Sequence, residues 1–503
     1  MVVKRTWDVF VDKNHELYEW CADMTGKANN LSNAVRFRQR QVFFARNKDV
    51  TDLSDNEKEI LDEINAVLGI DMLSCKRSLT YTFLYNLLQK SNNPDFCADK
   101  FPKQSAEWVV KQAVQDMNNY YAALIEYSAN PSRFTGNPCP PGYKKKGGHC
   151  TVGISNQDCT IKVDSNGVSF AYFPFKKKVP LCIGNPKGVL KQAEIVPVHD
   201  RYKIVFIFDV EVPDVEVSEE HKRIAAVDFG VDNLMAVTNN IDAECLLYKG
   251  NIIKSFNQYY NKKVSKIMSE EMNKPSCPKN RDGNPKFIPT EQYHNITIQR
   301  NNKIQDFMLK TACHFIAWCV EHRIDTIVLG VNKYWKQEVN MGHTNNQNFV
   351  QIPFAYLRSV ISYKASEHGI SIIEQEESYT SKASFLDNDP IPVYKEGDNT
   401  KHTFSGKRKP TRYKGMYKKD GFRGLYIASD GTIINSDLNG SANILRKAIP
   451  DAFINGIKPD FNKVTIIKNA DLEFVIMNQR IQVSKVRPFI SNSKKKRLEK
   501  KCA

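Results

Sequence analysis

Residues 223–240, RIAAVDFGVDNLMAVTNN, form an apolar run interrupted by one carboxylate, Asp228. The run reads as a buried strand, a turn at Gly230 and a second strand in LMAVT. A lone Asp in a buried strand costs several kcal/mol unless it is paired or binds a metal, so this position demands a partner. The residues that follow supply its surroundings. Segment 291–322 places Ile304, Phe307/Met308, Ala312, Phe315 and Cys319 on one helical face and leads into an apolar strand, DTIVLG, at 325–330. A shorter helix after Pro353 carries Phe354, Leu357 and Ile361, and a strand, ISIIEQEE, follows at 370–377. Strands alternating with helices imply a sheet with helices packed on its faces.

Two further acidic positions stand out. Asp437 lies where the strand of DGTIINSDLNGSANILRKA gives way to a helix, and helix N-cap is the ordinary role for Asp there. Glu374, Glu376 and Glu377 cluster at the end of a strand, where a solvated strand end is the ordinary reading. Taken with Asp228, they fit a carboxylate site for two Mg²⁺ ions, which would hold the attacking and leaving oxygens of a phosphodiester about 3.5–4 Å apart.

Charge points the same way. The 503 residues hold 72 Lys+Arg against 56 Asp+Glu, a surplus of 72 − 56 = 16 that suits a polyanionic partner, nucleic acid first. A length of 503 suggests roughly two to four domains, and 41% hydrophobic with 25% charged residues excludes a mainly disordered chain. No run of about 18 apolar residues offers a membrane span, and the opening MVVKRTWDVFVDKN has no apolar leader core, so a cytoplasmic setting is expected. The 12 cysteines include no CxxC, which supports neither a disulfide scaffold nor a zinc knuckle.

The N-terminal part has a different texture. Residues 15–45 look helical, with Arg36, Arg38 and Arg40 close together, and a second helical region is expected at about 55–90. After Pro102 a third helix places Trp108, Val109, Ala113, Met117, Tyr120/Tyr121 and Leu124 at 3–4 spacing. Trp108, Tyr120, Tyr121 and Phe315 are expected in cores rather than as base-stacking platforms. A Pro/Gly/Lys-rich loop at 131–150 carries Lys144, Lys145 and Lys146, which suit phosphate contact. Strands are expected at 168–175 and 202–212, a linker at 213–222, and a basic loop at 405–424.

The segments AAVDFGVDNLMAVTNN, IDTIVLGVNKYWKQEVNMG, NNQNFVQIPF, EESYTSKASFLD, FRGLY and INSDLNGSANILRK resemble, in order and character, the RuvC-like nuclease of TnpB proteins. These are transposon-encoded, RNA-guided DNA endonucleases related to the miniature type V CRISPR effectors. FPKQSAEWVVKQAV, NPSRFTGNPCPPGYKKKGG and TVGISNQD extend the resemblance, which runs from about residue 15 to 487. It implies an α+β multidomain fold with an RNase-H-like (RuvC) α/β nuclease domain at 216–486. A wedge strand is expected at 1–14, a helical recognition domain at 15–128, a small β-barrel wedge domain at 129–215 and a basic tail at 487–503. A guide RNA, transposon-end-derived or CRISPR-like, would pair with double-stranded target DNA beside a short motif read by the protein. Cleavage would depend on Mg²⁺, two ions, with Mn²⁺ able to substitute.

By the same resemblance Asp228 matches the first catalytic carboxylate and Asp437 the last, and Arg423 in RGLY matches a basic position suited to hold the scissile phosphate. Nucleic-acid contacts are expected from Lys103, Gln104, Lys111 and Gln112, from the three tandem lysines, and from Lys407, Arg408 and Arg412. Two departures matter. Most relatives end the strand TIVLGVN with a glutamate where this chain has Gly330, so the carboxylate must come from elsewhere or be missing. Glu377 is preferred as its replacement, with Glu376 next, because a longer side chain on an adjacent strand about 5 Å away can reach the same ion. The second departure is an insert at 378–433, where relatives carry two CxxC pairs and this chain has Ser384…Asp387 and Ile427…Asp430. Only His402 offers a zinc ligand there, so no zinc is expected and a metal-free, basic nucleic-acid-binding element is. Gly330 also admits a nuclease-dead, RNA-guided DNA-binding repressor. A recombinase-like transposase would need an activated Tyr or Ser nucleophile, and no arrangement supplies one.

Overall fold

The computed structural model describes residues 2–75, 78–212, 223–331, 351–393, 400–408, 424–454, 456–469 and 471–472. They divide into two compact units, residues 2–211 and the described residues from 212 to 472. The first runs β1 (Val2–Val11), α1 (Tyr18–Ala45), α2 (Asp55–Leu68), α3 (Tyr81–Lys90), α4 (Lys103–Ala129), β2 (Val152–Ser155), β3 (Thr160–Val163), β4 (Ser169–Tyr172), β5 (Leu181–Gly184), β6 (Val189–Val198) and β7 (Arg201–Glu211). The second runs β8 (Ile224–Phe229), β9 (Asn233–Asn239), β10 (Cys245–Lys249), α5 (Asn251–Met272), α6 (Glu291–Glu321), β11 (Thr326–Val331), α7 (Phe354–Glu367), β12 (Ser371–Glu376), β13 (Lys407–Arg408), β14 (Leu425–Ile427), β15 (Ile433–Asn435), α8 (Ser436–Ala448) and β16 (Val464–Ile467).

In the first unit an antiparallel sheet has the order β1-β7-β6-β2, and β3-β4-β5 form a separate small sheet. β1 pairs along its whole length with β7, from Val2 opposite Glu211 to Val11 opposite Tyr202. The region expected to be helical over 55–90 is two helices. Ser54 and Glu57 form a capping box at the start of α2, and Gly69 ends it at φ 66°, a conformation glycine adopts without Cβ strain. Val42, Ile60, Ile64, Met72 and Leu87 join α1, α2 and α3 in one core. Along α4, Val109, Ala113, Met117 and Tyr120 are buried, whereas Tyr121 is 40% exposed and Trp108 only half-buried, contrary to expectation. The wide polar face of α4 leaves Tyr121 one step outside the buried stripe. The three arginines of α1 serve structure: Arg36 pairs with Asp116, Arg38 with Glu63, and Arg40 donates to the Pro141 carbonyl.

The second unit is built on a six-stranded sheet of order β12-β11-β8-β9-β10-β16. β11 runs parallel to both β8 and β12, while β9 is antiparallel to β8 and β10. Period-two alternation divides the side chains between two cores. Ala225, Val227 and Phe229 of β8, with Ile327 and Leu329 of β11, meet Phe315 of α6 and Leu357 of α7. Ile224, Ala226 and Val328 point to the other face and meet Ala442, Ile444 and Leu445 of α8. Parity therefore puts Asp228 and Gly330 on the α8 face. The expected alternation of strands and helices is present. The strands β10 and β16 and the helix α5 extend it beyond the sequence reading. Among the described residues, no helix is long and apolar enough to cross a membrane. The expected linker at 213–222 and tail at 487–503 lie outside the described residues.

Candidate active site

Asp228 sits opposite Ala236 near the end of β8 and faces α8. That helix begins with its own cap: Asn435 Oδ1 accepts from the backbone N–H of Asp437 at 2.9 Å and of Leu438 at 3.2 Å. Asn435, not Asp437, therefore caps the helix, and the Asp437 carboxylate is released for other contacts. Its Oδ2 accepts from Asn233 Nδ2 at 2.8 Å, and Asn233 Oδ1 in turn accepts from Lys249 Nζ at 2.7 Å. On the other side, Arg408 Nη2 stands 4.0 Å from Asp437 Oδ1.

Two glycines let the pieces meet. A Cβ at Gly440 of α8 would fall 2.5 Å from Asp228 Oδ2, so only glycine admits the helix this close to that carboxylate. Ser441 fixes the approach, donating to the Ala226 carbonyl at 2.9 Å and accepting from the Thr238 N–H at 3.1 Å. A Cβ at Gly330 would stand 3.0 Å from Glu377 Oε2 and 2.7 Å from Ile444 Cδ1. Gly330 itself pairs with Gln375, and Glu377 lies just past the end of β12, so its carboxylate reaches back along the sheet into the space glycine leaves.

The three glutamates separate clearly. Glu374 is exposed. Glu376 is held by protein at both oxygens: Oε1 accepts from the Ser378 N–H at 2.6 Å and Oε2 from Lys447 Nζ at 2.8 Å. Partial burial works against its charge, but these bonds outweigh it and hold its carboxyl below the usual range. Glu377 Oε2 is buried with no hydrogen-bond partner. Burial, then the neighbouring Glu376 charge, pushes Glu377 up to about 7, against the opposing charges of Arg358 and Lys447. Asp228 is raised well above the usual range, first by burial and then by the negative charges of Glu377 and Asp437, with Arg408 opposing. Three carboxylates from β8, the end of β12 and the start of α8 thus share one electrostatic field.

Such a field is relieved by a cation, and an all-oxygen donor set with one free buried carboxylate oxygen suits a hard ion such as Mg²⁺. Among the described residues, no three His, Cys, Asp or Glu side chains are gathered into a ready-made metal cage. The donors fit the ion chemically, with Glu377 Oε2 the atom that most needs one.

A polar lattice ties these elements together. Asn439 Nδ2 donates to the Ala383 carbonyl at 2.8 Å, and its Oδ1 accepts from the Phe385 N–H at 3.0 Å. One turn on, Asn443 Nδ2 donates to the carbonyls of Thr380 at 2.9 Å and Ala383 at 2.7 Å. Thr380 Oγ1 closes back to the Glu377 carbonyl at 2.8 Å. In the insert, Asp387 Oδ2 accepts from the Ser429 N–H at 3.0 Å, and Asp389 accepts from the Ser384 N–H at 2.8 Å and Ser405 Oγ at 2.6 Å. His402 packs edge-on against Tyr379, with ring centroids 5.0 Å apart.

Of the expected nucleic-acid contacts, Lys103, Gln104, Lys111 and Gln112 are exposed on α4, with Lys103 over the Tyr85 ring and Lys111 over Tyr81. Lys145 and Lys146 are exposed and Lys144 half-buried. Asn29 and Asn33 of α1 anchor their loop through the Lys145 and Lys144 carbonyls. Lys407 and Arg408 are exposed on β13. Arg412 and Arg423 lie outside the described residues. The sequence reading missed Asn233, Lys249 and Arg358, whose places depend on strand pairing and helix packing. Asn435 carried a signal, an Asn directly before a helical run.

No protein-family model matches the chain. A curated protein does: the TnpB-like protein ORF457 of Acidianus two-tailed virus is 25% identical over 256 residues. In sequence, the chain resembles a TnpB-like protein. The match takes in 49% of this chain and 47% of the relative, about half its length. Among solved structures, the Cas12f1–sgRNA–target DNA complex aligns over 88% of this chain and 98% of its own at 12% identity and a TM-score of 0.31. CasPhi-2 (Cas12j) bound to crRNA aligns over 92% and 99% at 8% identity and a TM-score of 0.35. These scores lie below the level at which a common fold follows.

Proposed function

We propose that the chain is an RNA-guided DNA endonuclease with a RuvC-like, RNase-H-type site at Asp228, Glu377 and Asp437. The observation that carries the reading is the carboxylate of Glu377, buried and unpartnered, filling the space beside Gly330. The TnpB-like relative, the order of the motifs and the +16 charge support it. Mg²⁺, or Mn²⁺ in its place, would be held by these three carboxylates and would supply electrophilic stabilisation of the phosphodiester oxygens. Asn233, braced by Lys249, fixes the rotamer of Asp437. Arg408, beside Asp437 and exposed, would hold a phosphate of the bound strand, alongside Arg423, to which the resemblance gives the same role and which lies outside the described residues. Glu376, occupied by Lys447 and Ser378, steadies the end of β12 instead of serving as a ligand.

In this reading residues 1–14 and 129–215 form the wedge, 15–128 the recognition domain, 216–486 the nuclease and 378–433 a metal-free nucleic-acid-binding insert. A guide RNA pairs with one strand of target DNA, and the protein reads a flanking motif. The test is cleavage of plasmid DNA by protein co-purified with its RNA, with Mg²⁺ and with EDTA, using targets designed from the sequenced RNA. Asp228→Ala and Asp437→Ala should each abolish cutting and leave target binding intact. Full activity in either removes that residue from the site. Gly330 favours a second reading, a nuclease-dead RNA-guided repressor, which wild-type protein that binds its target and never cuts would select.

A further inference from the structure

We propose that the first unit contains a separate nucleic-acid site, a cavity that takes one unstacked nucleotide of a single strand, its base on Phe175 and its phosphates among Lys176, Lys177 and Lys178. The sequence reading expected a strand through 168–175, but β4 stops at Tyr172 and the chain turns before β5. A cavity of about 890 Å³ opens at this turn, ample for a nucleotide. Its wall includes Phe173, 1% exposed and packed on Trp20 with centroids 5.0 Å apart. Two residues on, Phe175 does the opposite: the residue is 57% exposed and its backbone sits at φ 63°. A bulky residue in the left-handed region costs free energy, and an exposed ring returns little of it through burial. Strain that folding does not explain points to binding.

The charges around the ring are not taken up by ion pairs. Lys162, Lys176, Lys177 and Lys178 line the cavity against one carboxylate, Asp158. Among the described residues, none of the four lysines makes an ion pair, although Lys162 lies 5.4 Å over the Tyr172 ring. The turn is formed in advance: Lys176 N–H donates to the Phe173 carbonyl at 3.2 Å and Val179 N–H to that of Lys176 at 3.0 Å. Free cations beside exposed aromatic rings are the chemistry of single-strand capture, in which phosphates meet lysines and a base stacks on a ring. A duplex keeps its bases stacked and would leave Phe175 unused. An acidic peptide would answer the lysines and not the ring. RNA and DNA strands share the required chemistry.

The test uses the full chain stripped of nucleic acid, with fluorescein-labelled oligouridylate and oligothymidylate followed by anisotropy across a salt series. Phe175→Ala should weaken binding roughly 5- to 150-fold, and Phe175→Tyr should restore it. Alanine and tyrosine meet the same backbone strain as phenylalanine, so the comparison isolates the ring, and unchanged melting temperatures exclude misfolding. Replacing Lys176, Lys177 and Lys178 by Ala should lower the salt slope by about two, at roughly 0.7 per phosphate. A 4-thiouridine-labelled strand should crosslink to the peptide containing Tyr172 and Phe175. The oligomer that binds more tightly identifies the strand as RNA or DNA. Wild-type affinity in Phe175→Ala overturns the proposal, because it leaves only diffuse charge, and so does a crosslink confined to other peptides. The site does not rest on the nuclease reading: oligomer binding and crosslinking are read without cleavage, so they hold or fail whether or not wild type cuts its target.

Discussion

The carboxylate of Glu377 occupies the space into which a side chain at Gly330 would grow, its Oε2 3.0 Å from the Cβ position. The two positions are alternatives. A chain with a carboxylate at 330 has no room for Glu377 in this pose, and a chain with glycine there leaves a slot that a longer residue from the next strand can enter.

Glu377→Gln should therefore lower cleavage by orders of magnitude, because the amide keeps the shape and loses the charge, while Glu376→Gln should be mild for chemistry. Combining Glu377→Ala with Gly330→Glu should recover part of the activity. Mn²⁺ binding followed by electron paramagnetic resonance gives a second readout. Tight Mn²⁺ binding by Glu377→Gln would exclude Glu377 as a ligand.

A shared negative field has a cost when no cation is bound. In EDTA, Asp228→Asn should be more stable than the wild type by about 1 kcal/mol, raising Tm by roughly 1–2 °C. Added Mg²⁺ should reverse the order, since the wild type gains binding free energy that the variant lacks. Differential scanning fluorimetry with and without EDTA measures both. An Asp228→Asn protein less stable than wild type in EDTA would show that the field is already relieved.

The asparagines of α8 should behave as a pair. Asn443→Ala strips one partner from the Thr380 carbonyl but leaves Asn439 on that of Ala383, costing about 1–3 kcal/mol. Asn439→Ala is the mirror case. The double change bares the Ala383 carbonyl entirely, so its cost in denaturant titration should exceed the sum of the single changes. Simple additivity would mean that a water replaces the lost donors.

Acid should loosen the insert. Bonds from Ser384 and Ser429 hold the Asp387 carboxyl below the usual carboxylate range. Its stabilisation is therefore complete above the unfolded value of about 3.9 and is lost as pH falls through the depressed folded value. The stability gap between wild type and Asp387→Ala should be constant from neutral pH down to about 5 and shrink only below about 4. A gap that closes near neutrality would assign the effect to another group.

Residue pattern alone revealed β8, α6, β11, α7 and β12, because each is apolar at the period its packing requires. α5 escaped because its sequence, NIIKSFNQYYNKKVSKIMSEEM, buries only Ile253, Asn257 and Ile267. β10 and β16 are short, and each is defined by its neighbour in the sheet. Asp228 and Asp437 could be named from one sequence because a carboxylate in an apolar strand and one at a helix start are local anomalies. The difference in surroundings between Glu376 and Glu377 was not local. It comes from Gly330 pairing with Gln375 and from Lys447 of α8 bonding Glu376, and neither relationship has a trace in strand parity.

The pairing of β1 with β7 carries a consequence for how the first unit is made. Val2 meets Glu211, so the outer strand has no partner until about two hundred further residues have left the ribosome. At 5–20 residues per second that wait is roughly ten to forty seconds. The helices α1 to α4 emerge in the interval, and their contacts are local enough to form while β1 is still unpaired. Closure of the sheet is thus the last act of the unit's synthesis. A deletion of residues 2–11 would spare the helices and leave β7 with a bare edge, the row of unpaired backbone groups on which aggregation begins.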